Sequence, residues 1–96
     1  HAIARINTLK PDLCFLRINA IDLKHGITDC DWDVVQIKQS MIEASQKVVC
    51  LTISEKINTM QPVKVCDLNK IDILITELPK EHPLLQPYVA AGITVM

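Results

Sequence analysis

Ninety-six residues, 49% hydrophobic and 22% charged, suffice for one domain with a compact core and exclude wholesale disorder. Ten basic residues against eleven acidic ones leave a formal net charge of −1, so this segment itself is not expected to grip DNA or RNA. The longest apolar stretch falls far short of the roughly 20 residues a bilayer span needs, and no basic-then-apolar leader precedes it.

In chain order, Ile3, Ile6 and Leu9 recur at helical spacing, as though a helix were under way from the first residue, until Pro11-Asp12 stops it. The start on His1 reads as a segment of something longer. Leu13 to Ile18 is short and mostly apolar, the pattern of a strand buried on both faces. Asn19 to Asp31 is a polar stretch, read as a loop. Asp31 or Asp33 can then cap a helix with apolar positions Val34, Ile37, Met41 and Ala44, and Val35 and Ile42 widen that stripe. Trp32 at its start is read as a hydrophobic anchor.

Val48 to Ile53 is the next buried strand, and Pro62 to Cys66 a shorter one, since Pro can open a strand but not occupy its centre. Asp67 to Lys70 reads as a helical turn leading into a strand from Ile71 to Thr76. His82-Pro83 starts a last helix that Gly92 closes, and Ile93 to Met96 is a final strand. Strands alternating with helices, with little polar alternation inside the strands, predict a single α/β unit over 1–96: a parallel or mostly parallel sheet flanked by helices.

The four cysteines form no CxxC pair, which argues against a zinc knuckle or a thioredoxin-like motif. Cys14, Cys50 and Cys66 lie in apolar runs and are expected to be buried free thiols of a reducing cytoplasm; Cys30, between two aspartates, is expected near solvent. Two glycines cannot build an amide cradle for phosphate, and neither GxGxxG nor the P-loop pattern occurs. In α/β sheets ligands settle beyond the carboxyl ends of the strands. Those ends carry Asn19, Ala20 and Asp22, then Ser54, Glu55 and Lys56, then Glu77: a hydroxyl, an ammonium and several carboxylates on one rim. His25, Asp29 and Asp31 match no metal-ligand spacing, so no metal is expected, and no nucleophilic triad can be argued from such distant positions.

These residues, in order, resemble the C-terminal sensor domain of DeoR-type transcriptional repressors. The resemblance is carried by Asp12 to Leu16, Ile21 to Asp29, Lys38, Met41 to Ser45, Lys47 to Val49, Leu51-Thr52 with Ser54 and Lys56, Val65-Cys66, and Ile71-Asp72 to Ile75-Thr76. It implies a domain related to sugar-phosphate isomerases, deaminases and CoA-transferases that senses a phosphorylated sugar or similar metabolite. It also implies that the helix-turn-helix DNA-binding domain and the earlier part of the sensor lie outside these residues. Lys56 matches the lysine of the family's Asp-Ser-Ser-Lys-Phe stretch, where a cation near the effector's phosphate is expected, and Ser54 matches its first serine. Gly26 and Thr28 match a Gly-Ile-Thr after the first strand, and Asp22 the acidic position before it.

The departures are informative. Arg17 and Ala20 stand where the family usually has glycines, Ile53 replaces the Asp before the Ser-Lys pair, and Glu77 stands for an Asp. Arg17 can supply a second phosphate contact or be an ordinary surface residue. The resemblance therefore implies a cytoplasmic, homo-oligomeric effector sensor with no cofactor and no membrane contact, reaching DNA only through its missing domain. Two alternatives stay open: a sugar-phosphate isomerase or deaminase using an acid–base pair from Asp22, His25 and Asp29, and a vestigial pocket serving only oligomerisation. The Asp-Gly-His order of the related deaminases is not reproduced, which weighs against enzyme activity.

Overall fold

The apolar run after Pro11 forms strand β1 (Leu13–Arg17), the edge of a four-stranded sheet, in a computed structural model that describes residues 13–96. The helix expected over residues 1–9 lies outside the described residues. The sheet continues through β4 (Lys47–Leu51) and β6 (Ile73–Ile75) to β7 (Thr94–Val95), and every pairing in it is parallel. Helix α1 (Trp32–Ala44) connects back towards β4, and a second, five-residue helix, α2 (Gln86–Ala90), precedes β7. The class is α/β with a mostly parallel sheet, as the alternation of elements predicts.

The polar stretch read as a loop is the main correction. It folds into β2 (Ala20–Asp22) and β3 (Gly26–Asp29), which pair antiparallel and continue to β5 (Val63–Cys66) as a separate three-stranded sheet. Ala20, Ile21 and Ile27 are all but inaccessible, and so are the polar Thr28 and Asp29 beside them. A buried polar residue is tolerated when it is hydrogen-bonded, and these two are. The Thr28 hydroxyl accepts the Gln61 N–H at 2.8 Å, while Asp29 is the centre of a four-donor network. Polarity in the sequence thus hid two buried strands.

Helix α1 starts where expected, with the Asp31 carboxylate accepting the N–H groups of Asp33 at 2.9 Å and Val34 at 3.3 Å. Its buried face is only part of the expected stripe, with Met41 packed against the core as read. Val34 and Ile37 are exposed, whereas Val35 and Ile42 enter the core. Between them the helix turns Lys38 and Gln39 towards the small sheet. The Gln39 amide donates to the carbonyls of Lys64 and Val65 at 3.3 and 3.1 Å, and the Lys38 ammonium reaches Asp29. Positions 35, 38 and 42 keep the helical spacing of one face, but a lysine in the middle disguises it.

Strand β1 is covered on one side only, whereas Val48, Val49 and Cys50 of β4 are buried on both faces. Cys14, Leu16 and Ile18 pack inward, whereas Leu13, Phe15 and Arg17 alternate outward and Phe15 is 57% exposed. The expectation of strands buried on both faces therefore fails for β1. The core beneath it joins Ile21, Val35, Leu74, Leu85 and Tyr88. At the chain's end, Pro83–Leu85 is a 3-10 turn, its Leu84 N–H held by His82 Nδ1 at 3.1 Å. Pro87 then restarts the backbone as α2, so the single helix expected there is two short pieces.

Cys14 and Cys50 are buried and Cys30 is exposed, as expected, whereas Cys66 is half-buried rather than buried; all four are free. Burial pushes the Cys50 thiol up to about 12 and the Cys66 thiol up to about 11, so neither is a useful thiolate near neutrality. Titration of this segment's thiols with a disulfide reagent at pH 8 is expected to show Cys30 reacting at once and the other three only on unfolding. Rapid reaction of Cys50 in the native protein would contradict this packing.

Candidate functional site at the strand ends

Because β1, β4 and β6 run parallel, their carboxyl ends open onto the same rim, where the chain leaves each strand in a loop. There they frame a cleft of about 580 Å3. Ile18, Leu51 and Ile75 form its apolar floor, and Arg17, Asn19, Thr52, Ile53, Lys56, Thr76 and Glu77 supply its walls. Backbone bonds from Ile18 N–H to the Leu51 carbonyl and from Thr52 N–H to the Ile75 carbonyl, both 3.0 Å, carry the sheet pairing up to the rim.

Lys56 ends the 3-10 turn Ser54–Lys56. The Lys56 N–H donates to the Ile53 carbonyl at 3.0 Å, and the Lys56 carbonyl accepts the Thr59 hydroxyl at 2.6 Å. Ser54 faces the end of β6 across the gap. Its N–H donates to Glu77 Oε1 at 2.9 Å and its hydroxyl to Oε2 at 2.6 Å, while the Thr76 hydroxyl donates to Oε1 at 2.8 Å. The Ser54 and Thr76 hydroxyls hold the exposed Glu77 carboxyl down at about 2, so it is an anion at any physiological pH. Lys56 and Arg17 line the same cleft, and among the described residues neither lies within ion-pair distance of a carboxylate. The cleft thus presents two uncompensated cations beside one carboxylate that three hydrogen bonds already occupy. Such a surface suits an anionic ligand carrying hydroxyls.

Of the residues singled out from sequence, the structure brings together Lys56, through the cleft, and Ser54, through Glu77. Asp22, Gly26 and Thr28 do not line it. Asp22 ends β2 and accepts the His25 N–H at 2.5 Å and contacts its Nδ1 at 2.8 Å. Burial would raise that carboxyl, but the bonds and charge of His25 outweigh it and hold the pKa below the ordinary value. Gly26 and Thr28 are buried inside β3. The acid–base trio is divided: Asp22 meets His25, whereas Asp29 belongs to Lys38. Thr52 and Thr76 were read only as part of the family resemblance and not as ligand contacts. The available signal was position alone, since each follows the last strand residue by one.

A larger groove of about 1010 Å3 lies at the other end of the sheet, between α1 and β5. Its lining sets Lys64 and Lys70 against Glu43, Asp67 and Asp72; Lys64 pairs with Asp67, and Asp72 accepts the Val48 N–H at 2.8 Å. The strand-end cleft, with Arg17 and Lys56 against Glu77 alone, is therefore the better candidate for an anion.

A mostly parallel α/β sheet with a cleft at its strand ends is the architecture of a small-ligand domain. The chain belongs to the family of DeoR C-terminal sensor domains, whose model matches residues 1–78. It is 32% identical over 85 residues to the HTH-type transcriptional regulator GlpR of Haloferax volcanii, covering 88% of this chain and 33% of that protein. A putative aga operon transcriptional repressor of Escherichia coli O157:H7 is 28% identical over 85 residues, 88% of this chain and 32% of the relative. A putative sgc region transcriptional regulator of Escherichia coli K12 is 26% identical over 91 residues, 95% and 35% of the two chains. The chain thus spans about a third of the length of these curated relatives, and it is a regulatory sensor segment of their kind. No helix among its described residues is long and apolar enough to cross a membrane.

Proposed function

We propose that this chain is the effector-binding part of a transcriptional regulator and that the strand-end cleft takes a phosphorylated sugar or a closely similar metabolite. The observation that carries the proposal is the placement of Lys56 and Arg17 in one cleft without carboxylate partners among the described residues. The two cations meet the phosphate, while Glu77, fixed by Ser54 and Thr76, offers its remaining lone pairs to sugar hydroxyls. Glu77 thereby supplies the acceptor that Ile53 does not. Binding favours one conformation of a homo-oligomer and so alters how separate DNA-binding domains engage an operator. The size of the response is set by the differential affinity for the two conformations.

The test is a thermal-shift screen of the complete polypeptide against inorganic phosphate and a panel of sugar phosphates. A ligand at a hundred times its dissociation constant adds about 2.7 kcal/mol of stability, which raises the midpoint visibly. Lys56→Ala is expected to weaken that ligand about tenfold or more, the loss of a charge-assisted bond, while leaving the unliganded midpoint in place. A panel without any hit, or a hit that Lys56→Ala leaves intact, removes the cleft from consideration as the effector site.

A further inference from the structure

We infer that Tyr88, on the C-terminal helix, is a positioning residue for the effector cation: its hydroxyl fixes the 54–59 loop through Asn58 and so sets where Lys56 stands. The inference rests on the cleft reading above. It goes beyond that reading by assigning a role to a side chain that does not line the cleft.

Lys56 is a long side chain on a short turn, and its reach is defined only if the backbone beneath it is held. The Ser54 bonds to Glu77 hold the start of the turn, and three further attachments hold the residues that follow Lys56. Ile57 makes a parallel bridge to Ile21 of β2 and is 5% exposed. Thr59 donates its N–H to the Ile21 carbonyl at 3.1 Å and its hydroxyl back to the Lys56 carbonyl at 2.6 Å. Between them Asn58 adopts a left-handed backbone, φ 63°, and its Oδ1 accepts the Tyr88 hydroxyl at 2.7 Å.

The Asn58 conformation is what makes the third attachment more than incidental. An L-residue other than glycine leaves the left-handed region readily unless something fixes it there; Asn is tolerated because its short amide bonds locally. Here the amide oxygen bonds instead to a fully buried phenol 30 residues away in sequence. Burial pushes the Tyr88 phenol up from its ordinary value, so it keeps its proton and remains a donor throughout the physiological range. The second acceptor near that hydroxyl, the Ile21 carbonyl, is at 3.4 Å and is the weaker partner. Tyr88 therefore gathers β2, the Lys56 loop and the C-terminal helix at one point.

Tyr88→Phe removes the hydroxyl and keeps the ring, and Asn58→Gly removes the acceptor while keeping the left-handed backbone accessible. The complete polypeptide would be titrated with inorganic phosphate and with glucose 6-phosphate, well below its midpoint, in wild type, both single variants, the double variant and Lys56→Ala. Each single variant is expected to bind about fivefold more weakly, the worth of one hydrogen bond, and the double variant no more weakly than either. Amide hydrogen exchange at Ile57 and Thr59 should quicken in both singles, with or without phosphate. A purely structural tyrosine would lower the thermal midpoint and leave the affinity unchanged. That result, with Lys56→Ala still abolishing binding, overturns the positioning role alone. Absence of phosphate binding in wild type, or indifference to Lys56→Ala, overturns the cleft reading and this inference with it.

Discussion

Asp29→Ala is expected to cost about 3 kcal/mol of stability, read as a lowered urea midpoint at pH 7, because it takes the carboxylate from the half-buried Lys38 ammonium. Asp29 is 1% exposed. Its Oδ2 accepts Lys38 Nζ at 3.1 Å and Asn19 Nδ2 at 2.9 Å; its Oδ1 accepts the N–H groups of Cys30 at 2.7 Å and Asp31 at 3.4 Å. Lys38 also donates to the Arg17 carbonyl at 2.6 Å, so the pair ties the end of β1 to β3 and α1. Without the carboxylate, that carbonyl is the one remaining partner of the charge among the described residues. A loss below about 1 kcal/mol would instead mark the pair as equivalent to an exposed one.

The same pair fixes the sign of an acid effect. Burial alone would raise the Asp29 carboxyl, but hydrogen bonds from Lys38 and the Cys30 N–H, the Lys38 charge and Asn19 outweigh it and hold the folded value below that of an ordinary aspartate. A carboxyl lowered on folding contributes stability that is present above its unfolded value and is lost as pH falls through the folded one. The wild type is therefore expected to lose this contribution only below about pH 4, the unfolded Asp value. Asp29→Ala should show a flatter acid limb over that window.

Gly26→Ala is expected to cost a similar amount, about 3 kcal/mol, from left-handed strain and overpacking together. Gly26 sits at φ +73°, and a Cβ built there would come within 2.3 Å of the Cys66 carbonyl oxygen and 3.0 Å of Asp67 Cα, both backbone atoms that cannot swing away. Gly92 is the internal control. Its φ is +98°, but nothing lies within 4 Å of the same built atom, so Gly92→Ala should carry only the backbone term, about 1 kcal/mol. Comparable midpoints for the two variants would show that the Cys66 contact is relaxed without cost. The comparison also bears on the site: a Gly26→Ala protein of normal stability that no longer responds to phosphate would favour Gly26 as an effector contact over its place as a backbone seat.

What the sequence displayed and what it concealed follow one physical line. The parallel strands were legible because apolar runs such as VVCL have few alternatives, and the Asp31 cap because a short carboxylate before an apolar-periodic stretch satisfies orphan N–H groups. The β2–β3 hairpin was not legible: Thr28 and Asp29 look like loop residues until their partners Gln61, Lys38 and Asn19 arrive from elsewhere in the chain. The face of α1 was misread in part for the same reason, since Lys38 takes a core-facing position only because Asp29 waits there. At the site, the strand-end rule placed Lys56, Ser54 and Glu77 on one rim and family resemblance singled out the first two, but the bond from Ser54 to Glu77 spans 23 residues that no local pattern connects.

The cleft draws each of its charged groups from a different strand end: Arg17 from β1, Lys56 from the turn after β4, Glu77 from the segment after β6. None of the three is needed to hold the apolar faces that assemble the sheet. The charged rim and the apolar core are thus written on separate parts of the chain, so a substitution at one rim position leaves the core packing in place. On the function proposed above, single exchanges at the rim would change which ligand the cleft takes while the architecture stays the same.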